Sequence, residues 1–257
     1  MRRAFLNYLR CPICRGLLQL HTEGAEEIRE GHLICGSCNR VYRIRRGIPN
    51  FTIPDCLSSS NIIQRAFYNL YAPLYDRVER RSAELLGFWE KELRNIVVTS
   101  MNIEHGDKVL EVSIGTGSNI PYYRRYTDAL IVGVDLSEAM LKICSEKVIK
   151  YGWRNIELIQ GCAEYLPIRS DSFERILIGG AISYFSSPER ALQEVERVAE
   201  PGGKIVIYEQ ITFLDRLLKK DKIPLRLTPE KLKLVNYSYL FGKTSTSSNS
   251  LSKALNI

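Results

Sequence analysis

Val109-Leu110-Glu111-Val112-Ser113-Ile114-Gly115-Thr116-Gly117-Ser118-Asn119 is the stretch that decides the fold. A short apolar run ends in a bend with glycines at 115 and 117, where the backbone can pass close to a ligand. Leu130-Ile131-Val132-Gly133-Val134-Asp135 reads as a second strand. Asp135 closes it, 18 residues after Gly117, where a carboxylate can take both hydroxyls of a ribose. Ser137 then caps a helix whose apolar face is Ala139, Met140, Ile143, Cys144 and Val148, and which stops at Gly152. Residues 156–159 and 175–178 read as third and fourth strands. Ser187-Pro188-Glu189 opens a helix terminated by Pro201-Gly202-Gly203, and residues 204–208 form a fifth strand. Strand–helix alternation of this kind predicts an α/β fold with a parallel, doubly wound sheet, and ligands at the carboxyl ends of its strands. The third small residue of the dinucleotide fingerprint G-x-G-x-x-G is missing, because Ile120 stands there.

The first fifty residues carry different chemistry. Cys11-Pro12-Ile13-Cys14 and Cys35-Gly36-Ser37-Cys38 are two C-x-x-C pairs with 20 residues between them. Each pair sits on a tight turn that aims two sulfurs at one point, and four thiolates in a tetrahedron suit a structural Zn²⁺ with no open position for water. A segment this short has little core of its own, so a metal supplies missing stabilisation. His21 and His32 are read as exposed histidines rather than ligands. Cys56, Cys144 and Cys162 fit no metal spacing and are read as buried small hydrophobes.

The chain has 257 residues, 45% hydrophobic and 25% charged, the profile of an ordinary globular protein rather than a disordered or fibrous one. No run of about 18 apolar residues predicts a membrane span. Arg10 interrupts the N-terminus before a signal-peptide core forms, so a cytoplasmic protein with reduced thiols is expected. The net charge of +7 is uneven. Residues 1–55 carry nine Arg and no Lys against five acids, residues 56–203 sum to −3, and residues 204–257 to +6. The basic ends are read either as ordinary solvated surface or as a footprint for an anionic partner.

The segments around the first cysteines, Leu9-Arg10 and Arg15-Gly16-Leu17-Leu18, with Gly31-His32-Leu33-Ile34 and Val41-Tyr42-Arg43-Ile44-Arg45-Arg46-Gly47-Ile48-Pro49, resemble the small zinc-ribbon family whose free-standing members activate tRNA and protein methyltransferases. Further along, Val109 to Gly117, Val132-Gly133-Val134-Asp135-Leu136-Ser137, Gly161-Cys162-Ala163-Glu164-Tyr165-Leu166-Pro167 with Asp171-Ser172-Phe173-Glu174, and Val198-Ala199-Glu200-Pro201-Gly202-Gly203-Lys204 occur in order. Residues 65–210 thereby resemble class I S-adenosylmethionine (SAM) methyltransferases of the ubiquinone/menaquinone-methyltransferase-like group. The resemblance implies a Rossmann-like sheet and SAM as cofactor. It places Glu111, Ser113, Gly115 and Gly117 around the methionine end, Asp135 and Leu136 at the ribose, Cys162, Ala163 and Glu164 at the adenine, and Gly179 at the cleft. Ser113 replaces the family's first glycine, and Cys162 its adenine-binding Asp, a role open to Glu164. The aromatic stretch around Tyr68 and Tyr75 resembles an N-terminal helix that covers the cofactor, where ring faces suit a sulfonium; packing on the sheet is the plainer reading.

Four segments are expected: a zinc ribbon at 1–54, a linker and covering helices at 55–100, a SAM-binding core at 101–243 and an irregular tail at 244–257. Residues 234–241 read as a sixth strand, and 211–220 as a short amphipathic segment. After the fourth strand the chain reads Gly179-Gly180-Ala181-Ile182-Ser183-Tyr184-Phe185, not the Asn/Asp-Pro-Pro-aromatic of enzymes that methylate exocyclic base nitrogens. No general base is identifiable. The leading expectation is transfer of a methyl group to a small, hydrophobic or quinone-like acceptor. The alternatives are an RNA methyltransferase that grips phosphates with the ribbon, and a SAM-binding or partner-activating module without turnover.

Overall fold

A computed structural model describes residues 1–22, 26–54, 57, 59–85, 90–208 and 234–237 of the chain. Its N-terminal part is an antiparallel four-stranded sheet in the order β1 (Leu18–His21), β2 (Gly31–Cys35), β3 (Val41–Arg45) and β4 (Ile48–Pro49). His21 and His32 face each other across β1 and β2, exposed, as expected. Two helices follow, α1 (Ser59–Leu85) and α2 (Glu90–Ser100). The larger unit is a six-stranded sheet. Its strands are β5 (Val109–Val112), β6 (Ile131–Asp135), β7 (Ile156–Gln160), β8 (Phe173–Gly179), β9 (Ala199–Tyr208) and β10 (Leu234–Tyr237). They lie in the order β10-β9-β8-β5-β6-β7; β5 to β9 are parallel and β10 runs antiparallel to β9. The chain moves outward one way from β5 to β7 and returns to the other side with β8, which makes β5/β8 the switch point.

The helices between strands form where the sequence provides caps. α4 (Glu138–Lys150) begins at Ser137, whose hydroxyl accepts the Met140 N–H at 3.2 Å. It ends before Gly152, whose φ of +64° an L side chain adopts only with strain. α5 (Pro188–Val198) begins at Ser187, whose hydroxyl accepts the Arg190 N–H, with Pro188 in its first turn. A four-residue turn of helix, α3 (Ile120–Tyr123), follows the glycine bend.

One expectation changes. The last helix stops at Val198, and Pro201-Gly202-Gly203 forms an excursion in β9, between the pairs Phe173↔Ala199 and Arg175↔Lys204. The sixth strand appears as β10, but residues 238–241, the amphipathic segment 211–220 and the tail 244–257 lie outside the described residues.

The small sheet is fused to the large one by backbone and side chains. Phe51 N–H donates to Gln160 O at 2.7 Å, extending the edge of β7, while Arg10 N–H donates to Pro167 O and Arg169 N–H to Tyr8 O. Arg15 pairs with Glu194 of α5 and Arg2 with Glu157 of β7. Leu9, Phe51 and Ile53 share one continuous apolar cluster with Leu110, Val132, Ile159 and Ile168. Part of the arginine excess of the first fifty residues is thus spent on this joint. Among the described residues no helix is long and apolar enough to cross a membrane.

Candidate active site and metal centre

The carboxyl ends of β5, β6 and β8, the segments after β7 and β8, and one side of α1 enclose a cleft that is partly open to solvent. Its floor is the bend after β5. Ser113 sits at φ +64°, a left-handed conformation uncommon for a residue with a side chain and typical of strained functional turns. Gly115, at φ +57°, has no atom within 4 Å of where a Cβ would stand, so its backbone is bare to the cleft. Its N–H donates to Asp135 Oδ2 at 2.8 Å, and Ser137 N–H donates to Oδ1 at 2.8 Å. Burial pushes the Asp135 carboxyl up, and hydrogen bonds from Ser137, Gly115 and Leu136 pull it back. An ionised carboxylate offers about four acceptor positions, so acceptor capacity remains for a ligand's hydroxyl.

The cleft brings together Tyr68, Tyr75, Ser113, Gly115, Asp135, Leu136, Cys162, Ala163, Glu164 and Gly179. Glu111 and Gly117, expected with them, do not line it. Glu111 is buried beneath the bend, accepting Asn119 Nδ2 at 2.7 Å and Tyr123 Oη at 2.9 Å. Burial pushes its carboxyl up to about 7, although the two hydrogen bonds and Arg94 oppose the rise. Gly117 turns the chain at φ +76° directly against α4, where a Cβ would lie 2.5 Å from Cys144 Sγ.

Cys162 is buried and disulfide-bonded, so the expectation of isolated buried thiols holds for Cys144 alone; Cys56 lies outside the described residues. Glu164 Oε1 accepts Ser186 N–H at 2.8 Å, which ties it to the approach to α5 as well as to the cleft.

The cleft also contains residues the sequence reading left out: Asn61, Gln64 and Arg65 on α1, Met140 on α4, and Tyr184 and Phe185 after β8. A signal existed, since 61, 64, 65 and 68 follow the i, i+3, i+4, i+7 spacing of one helix face. Gln64 Nε2 donates to Tyr184 O at 2.9 Å, joining the α1 side of the cleft to the β8 side. Asp76 of α1 accepts Thr116 Oγ1 at 2.6 Å and pairs with Lys147 Nζ at 2.6 Å, fastening the helix to the bend and to α4. Arg65 makes no ion pair among the described residues.

The four cysteines converge as expected. Their sulfurs all lie within 4.8 Å of one another, with Cys11–Cys38 at 3.6 Å and Cys14–Cys35 at 3.4 Å. A tetrahedral ion with metal–sulfur bonds of about 2.3 Å needs edges of about 3.8 Å, so the cluster fits such an ion. The two knuckles repeat one geometry. Arg15 (φ +61°) and Asn39 (φ +57°) each follow a pair, and their N–H groups donate to Cys11 O and Cys35 O at 2.9 Å. Tyr42 Oη lies 3.1 Å from Cys11 Sγ on the buried side.

Residues 110–207 match the family model described as a methyltransferase domain, and residues 2–47 the model described as Trm112p-like protein. Among curated proteins, the chain is 32% identical over 130 residues to the ubiquinone/menaquinone biosynthesis C-methyltransferase of Wigglesworthia glossinidia brevipalpis, covering 49% of this chain and 52% of that protein. It is 32% identical over 166 residues to the demethylmenaquinone methyltransferase of Geobacillus stearothermophilus, covering 59% and 64%. The chain therefore spans between about half and just under two thirds of the length of these relatives. Among solved structures, the [4+2]-cyclase SpnF aligns with a TM-score of 0.51 at 22% identity, over 58% of this chain and 60% of that one, a likeness of fold. Residues 110–207 thus correspond to a methyltransferase domain of the class I SAM-dependent type, and residues 2–47 to a Trm112p-like domain that carries a four-cysteine cluster.

Proposed function

We propose that the chain transfers a methyl group from SAM to a small, apolar, quinone-like ring, and that its cysteine cluster holds a structural zinc ion. The observation that carries this reading is the make-up of one cleft: a nucleoside-ready floor at Asp135 and Gly115, faced by a wall of Tyr68, Tyr75, Met140, Tyr184 and Phe185. The relatives named for menaquinone precursors support it. The fold alone does not, since a cyclase shares it.

SAM supplies a methyl carbon already activated by its positive sulfur. Asp135 accepts the ribose hydroxyls with its free lone pairs, and the bare backbone at Gly115 admits the methionyl chain. Cys162, Ala163 and Glu164 flank the adenine. Tyr68 and Tyr75 line the cleft, where their rings would favour a sulfonium and exclude water. Glu111 and Gly117 act from behind the cleft, Glu111 by holding Asn119 and Tyr123, and Gly117 by letting the bend close on α4. Arg65 brings a positive charge to a largely uncharged wall, suited to holding an oxyanion on the acceptor ring.

A second reading, RNA methylation, is favoured by one feature. His32 and Arg43, paired across β2 and β3, are exposed with Arg45 on the outer face of the small sheet. Incubating the full chain with methyl-labelled SAM and separate lipid, small-metabolite and RNA extracts tests both readings. Label in an organic-soluble ring compound is the expected result, and label in RNA would replace the first reading by the second. SAM binding with no labelled product in any extract would leave the non-catalytic module.

A further inference from the structure

α1 has two working faces. Asn61, Gln64, Tyr68 and Tyr75 turn toward the cleft. On the opposite side Ile63, Phe67, Leu70 and Leu74 recur at helical spacing and are 68, 53, 83 and 51% exposed. Exposed Arg77, Arg80 and Arg81 continue this face toward the helix C-terminus. The nearby acids turn elsewhere: Asp76 is bonded to Thr116 and Lys147, and Glu79 is half-buried. Among the described side chains, the outer face is therefore an apolar stripe ending in uncompensated positive charge. Singly exposed apolar residues are ordinary, but four in one row on a helix mark a contact surface.

The charge selects the occupant. A second copy docked helix against helix would bring six arginines to the contact with no described acid to pair them. Residues 209–257, with nine basic and four acidic groups, are also a poor electrostatic match. An anionic bilayer supplies both a hydrocarbon boundary for the stripe and phosphates for the arginines. We infer that the outer face of α1 docks on an anionic lipid surface, with the helix lying in the interface plane and the cleft on its other side. Docking itself needs no reading of the cleft. That it delivers a lipid-soluble acceptor rests on the function proposed above.

The test is co-sedimentation of the full chain with vesicles of phosphatidylcholine, alone or mixed with phosphatidylglycerol. Binding to the mixed vesicles is expected, weakening as salt is raised. Ile63→Ser with Leu70→Ser should reduce it at least about tenfold, and Arg77→Gln with Arg80→Gln and Arg81→Gln should remove its preference for anionic lipid. SAM affinity and melting temperature should be unchanged in the serine variant, because these side chains face outward. A wild-type chain that ignores the mixed vesicles, or serine variants that bind them equally, would overturn docking. A clear loss of melting temperature in the serine variant would show the stripe already packed under another segment, and a dimer dissolved by it would assign the face to a second copy; either result overturns the inference. Failure of the wild-type chain to bind SAM would sink the proposed enzyme while leaving the vesicle result standing.

Discussion

Gly115 donates its backbone N–H to Asp135 Oδ2 at 2.8 Å, which ties the bend after β5 to the tip of β6. With the Ser113 and Ile114 N–H groups, which both donate to Val134 O, this hydrogen bond sets the distance between the two halves of the proposed nucleoside site. The opposite carboxylate oxygen is held by Ser137 N–H, so the side chain is fixed before any ligand arrives, and little ordering remains to be done on binding.

The two glycines of the bend should respond differently to the same change. At Gly117 an added Cβ meets Cys144 Sγ at 2.5 Å in addition to the positive φ, so Gly117→Ala should lower stability by about 2–4 kcal/mol. At Gly115 the Cβ meets nothing, so Gly115→Ala should cost about 1–2 kcal/mol of stability, with the larger loss falling on SAM affinity. Denaturant melts and calorimetric titration of both variants check the contrast.

Glu111 should write a pH dependence into stability. Burial raises its carboxyl to about 7 from the ordinary 4.5, so between those values the folded protein keeps a proton that the unfolded chain releases. The contribution is therefore full at low pH and is lost as pH rises through that window, by about 3 kcal/mol. Glu111→Gln should abolish this fall and make the variant relatively more stable at pH 8 than at pH 5, measured as the difference in unfolding free energy from wild type.

Metal content should govern the stability of the whole chain rather than of its first fifty residues. The cysteine knuckles lead into Leu9, Phe51 and Ile53, which share the apolar cluster of the large sheet, and Arg15 leaves the first knuckle for Glu194. The protein should contain one zinc per chain. Chelation or Cys38→Ser should lower the melting temperature by about 5 °C or more in a single transition.

The sheet and its order of elements were legible because β5 to β7 are short apolar runs closed by Gly, Asp or polar residues, and because Ser137 and Ser187 announce their helices. The cysteine centre was legible from spacing alone. The depth of Glu111 was not, since a carboxylate within a strand reads the same whether it faces ligand or core. Its partners, Asn119 and Tyr123, lie eight and twelve residues on and are brought back only by the turn of the bend. The packing of Gly117 was hidden for a related reason: a glycine needed for close packing and one needed for ligand approach look identical until the neighbouring Cys144 is placed. Gln64 and Arg65 were missed because the aromatic residues around them drew attention from a polar stripe at helical spacing.

Calorimetric titration of the full chain with SAM, comparing wild type with Asp135→Asn, tests the central claim most directly. The variant keeps the shape of the side chain but loses its charge and an acceptor, so wild type should bind one equivalent and the variant at least about tenfold more weakly, a loss of about 1.4 kcal/mol or more. Equal affinity in the two proteins, or no heat from wild type, would contradict it.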